Sequence, residues 1–212
     1  MSLLTDVLSF AAVAGLLTIV PGLDTAMVVR WTATHGRKHG FATALGVNTG
    51  VLVWGLTAAV GISALLTAST VAYDLVRIAG ALYMVGLGAR LLVRALRPTG
   101  VTAPAESQPS RAPSLLRSWS RGLTTNLLNP KIGAFYVAVL PQFIPAHASH
   151  LAVGLLLAFV HNLEGLAWFA TIIFGIHAVR DLLSRRRVRQ TIDGVTGATL
   201  IGFGVKLGLS SR

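Results

Sequence analysis

The sequence predicts an all-α integral membrane protein with six transmembrane helices, arranged as two inverted three-helix repeats. Three observations lead to this fold: long apolar runs, basic residues confined to alternate connections, and a second half of the chain that resembles the first. The 212 residues are 53% hydrophobic and only 12% charged, and the mean hydropathy is +0.70. Such a composition is typical of helices that face lipid.

Six apolar runs account for the predicted helices. A helix rises about 1.5 Å per residue, so about 20 residues cross a hydrocarbon core of about 30 Å. The third run is the weakest, because Arg77 and Arg90 enclose only 12 uncharged residues. A short interfacial helix is the alternative there, but arginines near helix ends can reach the interface, so we favour a span. The runs cover residues 3–29, 41–68, 71–96, 122–144, 150–179 and 191–209.

The positive charges are placed as a membrane topology requires. The net charge is +11, and 14 of the 18 Lys and Arg residues lie in three zones at the connections after the first, third and fifth runs: Arg30 to Lys38, Arg90 to Arg121 and Arg180 to Arg189. The positive-inside rule makes these connections cytoplasmic, which puts both termini outside. The basic segment SRRRVRQ (184–190) is therefore interpreted as a topology anchor against anionic lipid, and no nucleic-acid partner is predicted.

The N-terminal segment is interpreted as a retained first span. It superficially resembles a signal peptide, but Asp6 stands where basic residues are expected and no small-x-small cleavage site follows. The chain has no cysteine, which excludes disulfides and thiolate metal sites.

The chain divides into two related halves, 1–96 and 121–212, each with three runs. Residues 97–120 are rich in Pro, Ser, Ala and Arg, which predicts a cytoplasmic linker. GALYMVGLGARLL (80–92) in the first half is similar to GATLIGFGVKLGL (197–209) in the second. A repeat with an odd number of spans must be inverted relative to its copy, which is a transporter architecture.

Each half begins with a run that a proline interrupts near the middle of the membrane. Pro21 lies nine residues before the first cytoplasmic charge, Arg30, and Pro130 lies nine residues after Arg121. Nine helical residues span about 14 Å, close to half of the core. A proline inside a helix removes an N–H, and broken backbone is tolerated in a membrane only where it faces protein or water. The two breaks therefore predict a site at the midplane.

The residues at the breaks predict a site for a small zwitterion. Asn129 is expected to cap a helix that restarts at Pro130, and the positive end of that helix, with Lys131, attracts a carboxylate. Asp24, with Asn48 or Asn126 nearby, is the candidate for the ammonium group. In the alternatives, Asp24 and Lys131 neutralise each other, or Lys131 extends to the interface. The predicted substrate-binding residues are Pro21, Gly22, Asp24, Asn48, Asn126, Asn129, Pro130 and Lys131.

A second intramembrane carboxylate lies in the fifth run. Glu164 shares a helical face with His161 and Trp168. Intramembrane carboxylates are candidates for proton transfer, so Asp24 and Glu164 are predicted to couple transport to protons. In the alternative, Glu164 pairs with His161 or Arg77 for packing. No metal site is predicted, because carboxylates are few and thiols are lacking.

Together these motifs resemble the LysE/RhtB family of amino-acid exporters, over nearly the whole chain. The resemblance implies an inner-membrane exporter of amino acids or close derivatives, driven by proton antiport and often a homodimer. No cofactor is predicted. The matching segments are PGLDTAMVVR (21–30), GRKHGFATALGVNTG (36–50), VRIAGALYMVGLGARLLVR (76–94), NLLNPKIGAFYVAVLPQF (126–143) and TGATLIGFGVKLGL (196–209).

Two positions depart from the family pattern. Leu23 replaces the second proline of the family's Pro-Gly-Pro, which predicts a softer break. Trp54 stands where the family often has histidine, which predicts a narrower substrate range. Trp54 also continues the spacing of Gly46 and Gly50, and small residues four apart favour close helix packing over a ligand site.

Other functions remain open at this stage. Export of divalent metal ions or of other small metabolites is the first alternative. An intramembrane enzyme, with Asp24 and Glu164 as an acid–base pair, is the second. The sequence has no cysteine, no Gly-x-Ser-x-Gly and no paired-histidine metalloprotease motif, so no nucleophile with a positioned base is evident. A transporter is therefore predicted, not an enzyme.

Overall fold

The computed structural model describes residues 3–20, 22–68, 70–96, 113–145, 147–176 and 185–209. Within these ranges the chain forms eight α helices and a short 3₁₀ helix, Leu140–Phe143, which confirms the all-helical prediction. The helices are α1 (Leu3–Ile19), α2 (Leu23–His35), α3 (Arg37–Ala68), α4 (Thr70–Leu96), α5 (Leu115–Leu127), α6 (Pro130–Ala138), α7 (His150–Phe174) and α8 (Arg186–Leu209).

Both halves have the same order of elements. Each begins with an interrupted helix, α1–α2 or α5–α6, continues with a long helix and ends with a glycine-rich one. α1 and α2 meet at a bend of 52°. Pro21 and most of the predicted linker, 97–112, lie outside the described residues, and the last part of that linker, 115–120, forms the start of α5.

Close packing of α3 positions the second interrupted helix. α3 packs along α5 and α7, and α4 packs along α8. A side chain at Gly46 would overlap the carbonyl of Trp119, and one at Gly50 would lie 2.5 Å from Oδ1 of Asn126. Only glycine allows α5 to approach α3 this closely, which confirms the packing role predicted for Gly46 and Gly50.

Two apolar clusters lie on opposite sides of the helix breaks. One is built around Phe10, Tyr136 and Leu157, from α1, α6 and α7. The other contains Val28 and Phe169, from α2 and α7, with residues of α3. Many large apolar side chains elsewhere are exposed, as expected where a helix faces lipid. The polar residues of the breaks are thus held between two packed layers.

Two of the described helices are long and apolar enough to cross a membrane on their own, α7 and the Arg37–Gly61 part of α3. The bent pair α1–α2 is a third if it is one span. The part of α4 from Ile78 to Val93 is a shorter apolar helix, in keeping with the weakness of the third run. The arrangement of six spans therefore stays a prediction.

Candidate functional site

The start of α6 is capped as the sequence predicts. Asn129 is the N-cap, and its side-chain Oδ1 accepts a hydrogen bond of 3.1 Å from the backbone N–H of Lys131. Pro130 occupies the first turn, where its missing N–H has no consequence. The N-terminus of α6 and the side chain of Lys131 are thereby held at the break.

Asp24 is the buried carboxylate of the site. It lies in the first turn of α2 and is only 7% exposed. Its Oδ2 accepts hydrogen bonds from Nδ2 of Asn126 at 2.9 Å and Nδ2 of Asn129 at 3.0 Å. Its Oδ1 is buried and has no hydrogen-bond partner among the described residues. One oxygen of the carboxylate is therefore fixed, and the other is left for a ligand or a proton.

Lys131 contacts the end of α1. Its Nζ donates to the backbone carbonyls of Leu17 and Val20, each at 2.9 Å. A Cβ added to Gly22 would lie 3.5 Å from this Nζ. The hydrogen-bond partners of Lys131 are carbonyls and not Asp24, but the two opposite charges still attract each other, so their mutual neutralisation stays a prediction. The side chain of Lys131 turns towards the break and not towards the interface.

A small cavity lies where the two interrupted helices meet. Five of the eight predicted residues line it: Gly22, Asp24, Asn48, Asn129 and Lys131. Thr18, Thr25 and His161 add polar groups. The main apolar part of its wall consists of Leu17, Val20, Val47, Val51, Ile132 and Phe169.

The other predicted residues lie outside this lining. Asn126 is fully buried behind Asp24, where it acts as a hydrogen-bond donor. Pro130 is exposed at the start of α6. Pro21 lies outside the described residues, so its place relative to the cavity stays a prediction.

The cavity is too small for an amino acid in this conformation. The centre of a water molecule can occupy about 30 Å³ of it. One water requires about 10–15 Å³ by the same measure, so the space suits two or three waters. Binding of a larger ligand requires the surrounding helices to separate.

Asn48 and His161 join the cavity to α7. Asn48 donates from Nδ2 to the carbonyl of Ala44 at 2.8 Å, and its own backbone carbonyl accepts from Nδ2 of Asn162 at 2.7 Å. Nδ1 of His161 lies 3.0 Å from the hydroxyl of Tyr136. His161 is thus bonded to Tyr136, and the alternative in which it pairs with Glu164 is not observed.

Glu164 lies against α1, one helical turn beyond His161. Its Oε1 would be 3.5 Å from a Cβ added to Gly15, and its Oε2 is buried with no hydrogen-bond partner in the described part of the chain. The side chain of Arg77, its other predicted partner, lies outside the described residues. Glu164 is therefore a second carboxylate with an unpaired oxygen, beside the cavity but not in its lining.

Trp54 covers the second break from α3. Its Nε1 donates to the backbone carbonyl of Asn126 at 3.3 Å, and its ring lies 3.0 Å from the position of a Cβ at Gly133. The indole therefore fills the space between α3 and the α5–α6 corner. In the described residues no group of three or more His, Asp or Glu side chains is arranged to hold a metal ion.

Two interrupted helices that meet at a buried, polar cavity are typical of membrane transporters. The sequence model of the LysE type translocator family matches residues 15–211, and the chain belongs to this family. The family resemblance of the sequence is thereby confirmed.

Relatives of known name cover almost the whole chain. It is 32% identical to the threonine efflux protein of Escherichia coli (strain K12), over 90% of this chain and 91% of that protein. It is 30% identical to the leucine efflux protein of Enterobacter sp. (strain 638), over 90% and 89%. It is 28% identical to the uncharacterized membrane protein YrhP of Bacillus subtilis (strain 168), over 97% and 99%. No solved structure matches the chain significantly.

Proposed function

We propose that the protein exports a zwitterionic amino acid, or a close derivative, across the bacterial inner membrane in exchange for protons. The observation that carries the proposal is Oδ1 of Asp24, a buried carboxylate oxygen that has no hydrogen-bond partner in the described part of the chain. It lies in a cavity that also contains the ammonium group of Lys131. Membership of the family and the efflux proteins among the relatives support it.

The charges of the cavity match the two ends of an amino acid. Oδ1 of Asp24 is assigned to the substrate's ammonium group. Lys131 and the N-terminus of α6 are assigned to its carboxylate, because both attract anions. Val47, Val51 and Phe169 leave an apolar wall for the side chain, which favours neutral amino acids over charged ones.

Two inverted repeats of three spans, with both termini outside, complete the proposal. Support comes from the contacts of the glycine-rich helices. A Cβ at Gly88 would lie 2.6 Å from the carbonyl oxygen of Gly197, and one at Gly204 would lie 2.8 Å from that of Ala81. Gly88 and Gly204 occupy equivalent places in the two similar segments, 80–92 and 197–209, when one residue of slack is allowed between them. The second contact thus repeats the first with the two helices exchanged.

Transport requires a second conformation. The helices separate to admit the substrate and then expose it on the other side. A ligand shifts such an equilibrium only if it binds the two conformations differently, and this applies to both substrate and proton. Asp24 and Glu164, each with an unpaired oxygen, are assigned to the proton.

Uptake into inside-out membrane vesicles tests the proposal. Vesicles with and without the protein are given labelled leucine or threonine, and the interior is made acidic. We expect accumulation that depends on both the protein and the pH gradient. Equal uptake into both kinds of vesicle, in vesicles that contain folded protein, would contradict export of these amino acids.

A further inference from the structure

We propose that Lys131 is the C-terminal cap of α1 in the empty carrier, and that the substrate carboxylate competes with this helix end for the ammonium group. The second half of this inference rests on the proposed function, because it concerns the carboxylate of the substrate. Its first half concerns the protein alone.

The carbonyl of Leu17 has no donor of its own helix. A backbone carbonyl in a helix accepts from the N–H four residues later, and for Leu17 that residue is Pro21, which has no N–H. One residue earlier the pattern is intact, since Val20 donates to the carbonyl of Leu16 at 3.3 Å. Nζ of Lys131 supplies the missing donor, 2.9 Å from the carbonyl of Leu17.

The same ammonium serves a second carbonyl. Val20 lies between α1 and α2, and its carbonyl accepts from Nζ of Lys131 at 2.9 Å. A backbone carbonyl without a partner is costly away from water, so these two bonds stabilise the interruption of the first span. Asn129 fixes the backbone of Lys131 from the other side, at 3.1 Å. One side chain therefore ties the break in the first half to the break in the second.

A substrate carboxylate competes for these bonds. An ammonium has three N–H donors, and the carbonyls of Leu17 and Val20 use two of them. The bonds of Lys131 to the two carbonyls already have an ionised donor. A carboxylate adds a full negative charge, so it attracts the ammonium more strongly than a neutral carbonyl does. A carboxylate that enters the cavity therefore draws Lys131 away from α1, and the two halves of the first span become free to move. An amine without a carboxylate binds Asp24 but leaves the cap in place.

A double-mutant cycle in purified protein, without any substrate, tests the cap. Lys131→Met removes the donor, and Pro21→Ala gives the Leu17 carbonyl an N–H of its own helix. We expect Lys131→Met to lower the unfolding temperature, and to lower it less when Pro21→Ala is also present. Lys131→Arg retains N–H donors, so we expect it to lower the unfolding temperature less than Lys131→Met does. Lys38→Met, which removes an exposed charge, is the matched control.

Additive effects of the two substitutions on the unfolding temperature would overturn the proposal that Lys131 caps α1. If Lys131→Met yields no folded protein, recovery of folded protein in the double variant supports the cap. If neither variant folds, the same cycle is run with Lys131→Ala, which also removes the donor, and additivity there overturns the cap equally.

Transport without a pH gradient tests the competition. Labelled leucine is compared with 3-methylbutylamine, which is leucine without its carboxylate, and entry into protein-free liposomes is subtracted. We expect the amine to slow leucine entry but to show no protein-dependent entry itself. Entry of the amine at the rate of leucine would overturn the competition and leave the exporter intact. Absence of leucine entry would count against the proposed function, and the double-mutant cycle would still decide the cap.

Discussion

Asp24 combines three features that a carboxylate needs to bind a cationic group. Its position in the first turn of α2 is favourable for an anion, because the N-terminus of a helix carries partial positive charge. Asn126 and Asn129 hold one oxygen by hydrogen bonds, which fixes the orientation of the group. A buried charge is costly unless it is compensated. The unpaired Oδ1 therefore favours binding of a cationic group or a proton.

Glu164→Gln tests the proposed role of Glu164 in proton coupling. Glutamine has nearly the same shape but cannot release or take up a proton at this position. We expect gradient-driven accumulation to fall to the level seen without a gradient, while exchange of substrate across the membrane continues. Uptake with and without an acidic interior measures the first effect, and exchange with preloaded vesicles measures the second. Unchanged gradient-driven accumulation would show that Glu164 has no part in coupling.

Gly165→Ala tests the size of the cavity. The added methyl group would lie 2.9 Å from Oδ1 of Asn48, in the wall of the cavity. We expect the ratio of leucine to threonine transport to fall about tenfold. One methylene in an apolar pocket changes the free energy of discrimination between two substrates by about 1–3 kcal/mol. Gly61→Ala, with no atom within 4 Å of the new methyl, is the control. An unchanged ratio of leucine to threonine transport would place the substrate elsewhere.

At the scale of the elements, Gly88 governs the packing of α4 on α8. A methyl group at Gly88 would lie 2.6 Å from the carbonyl oxygen of Gly197, whereas one at Gly86 would have no atom within 4 Å. We expect Gly88→Ala to destabilise the protein by about 1–3 kcal/mol. Gly86→Ala should be neutral or stabilise by up to about 1 kcal/mol. Thermal unfolding in detergent compares the two variants, and equal unfolding temperatures would contradict the helix contact.

The elements of the site follow from local sequence, but their contacts do not. Asn129-Pro130 predicts a helix start from neighbouring residues alone, and the structure has that start. The bond between Asp24 and Asn129 joins residues 105 positions apart, so it depends on how α2 and α5–α6 pack. The contact of Lys131 with α1 also depends on how the helices pack. Pro21, however, indicates from the sequence that one carbonyl of α1 needs a donor from outside its own helix.

The third run of the sequence is ambiguous in a similar way. Its arginines leave a choice between a span and an interfacial helix, and the short apolar part of α4, Ile78–Val93, does not resolve that choice. The bond between His161 and Tyr136 does not follow from local sequence, because Tyr136 is on another helix. The local sequence shows only a polar residue on an apolar helix, on the same face as Glu164.

At the scale of the whole molecule, the topology can be tested by single cysteines, since the chain contains none. Ser114→Cys lies before α5, on the side predicted to be cytoplasmic, and His147→Cys lies before α7, on the side predicted to be outside. We expect a membrane-impermeant thiol reagent to label only His147→Cys in intact cells. Both variants should react in permeabilised cells. Labelling of Ser114→Cys from outside would contradict the arrangement of six spans.

The central claim is that Asp24 binds the ammonium group of an exported amino acid. The most direct measurement compares leucine and threonine transport by purified, reconstituted Asp24→Asn with the unchanged protein, and with Asp6→Asn as a matched loss of one carboxylate. A hydrogen bond to a charged group contributes about 1.5–3 kcal/mol, so we expect Asp24→Asn to weaken substrate affinity about 10- to 100-fold. Asp6→Asn should leave it unchanged. Normal affinity and transport in folded Asp24→Asn would contradict the claim.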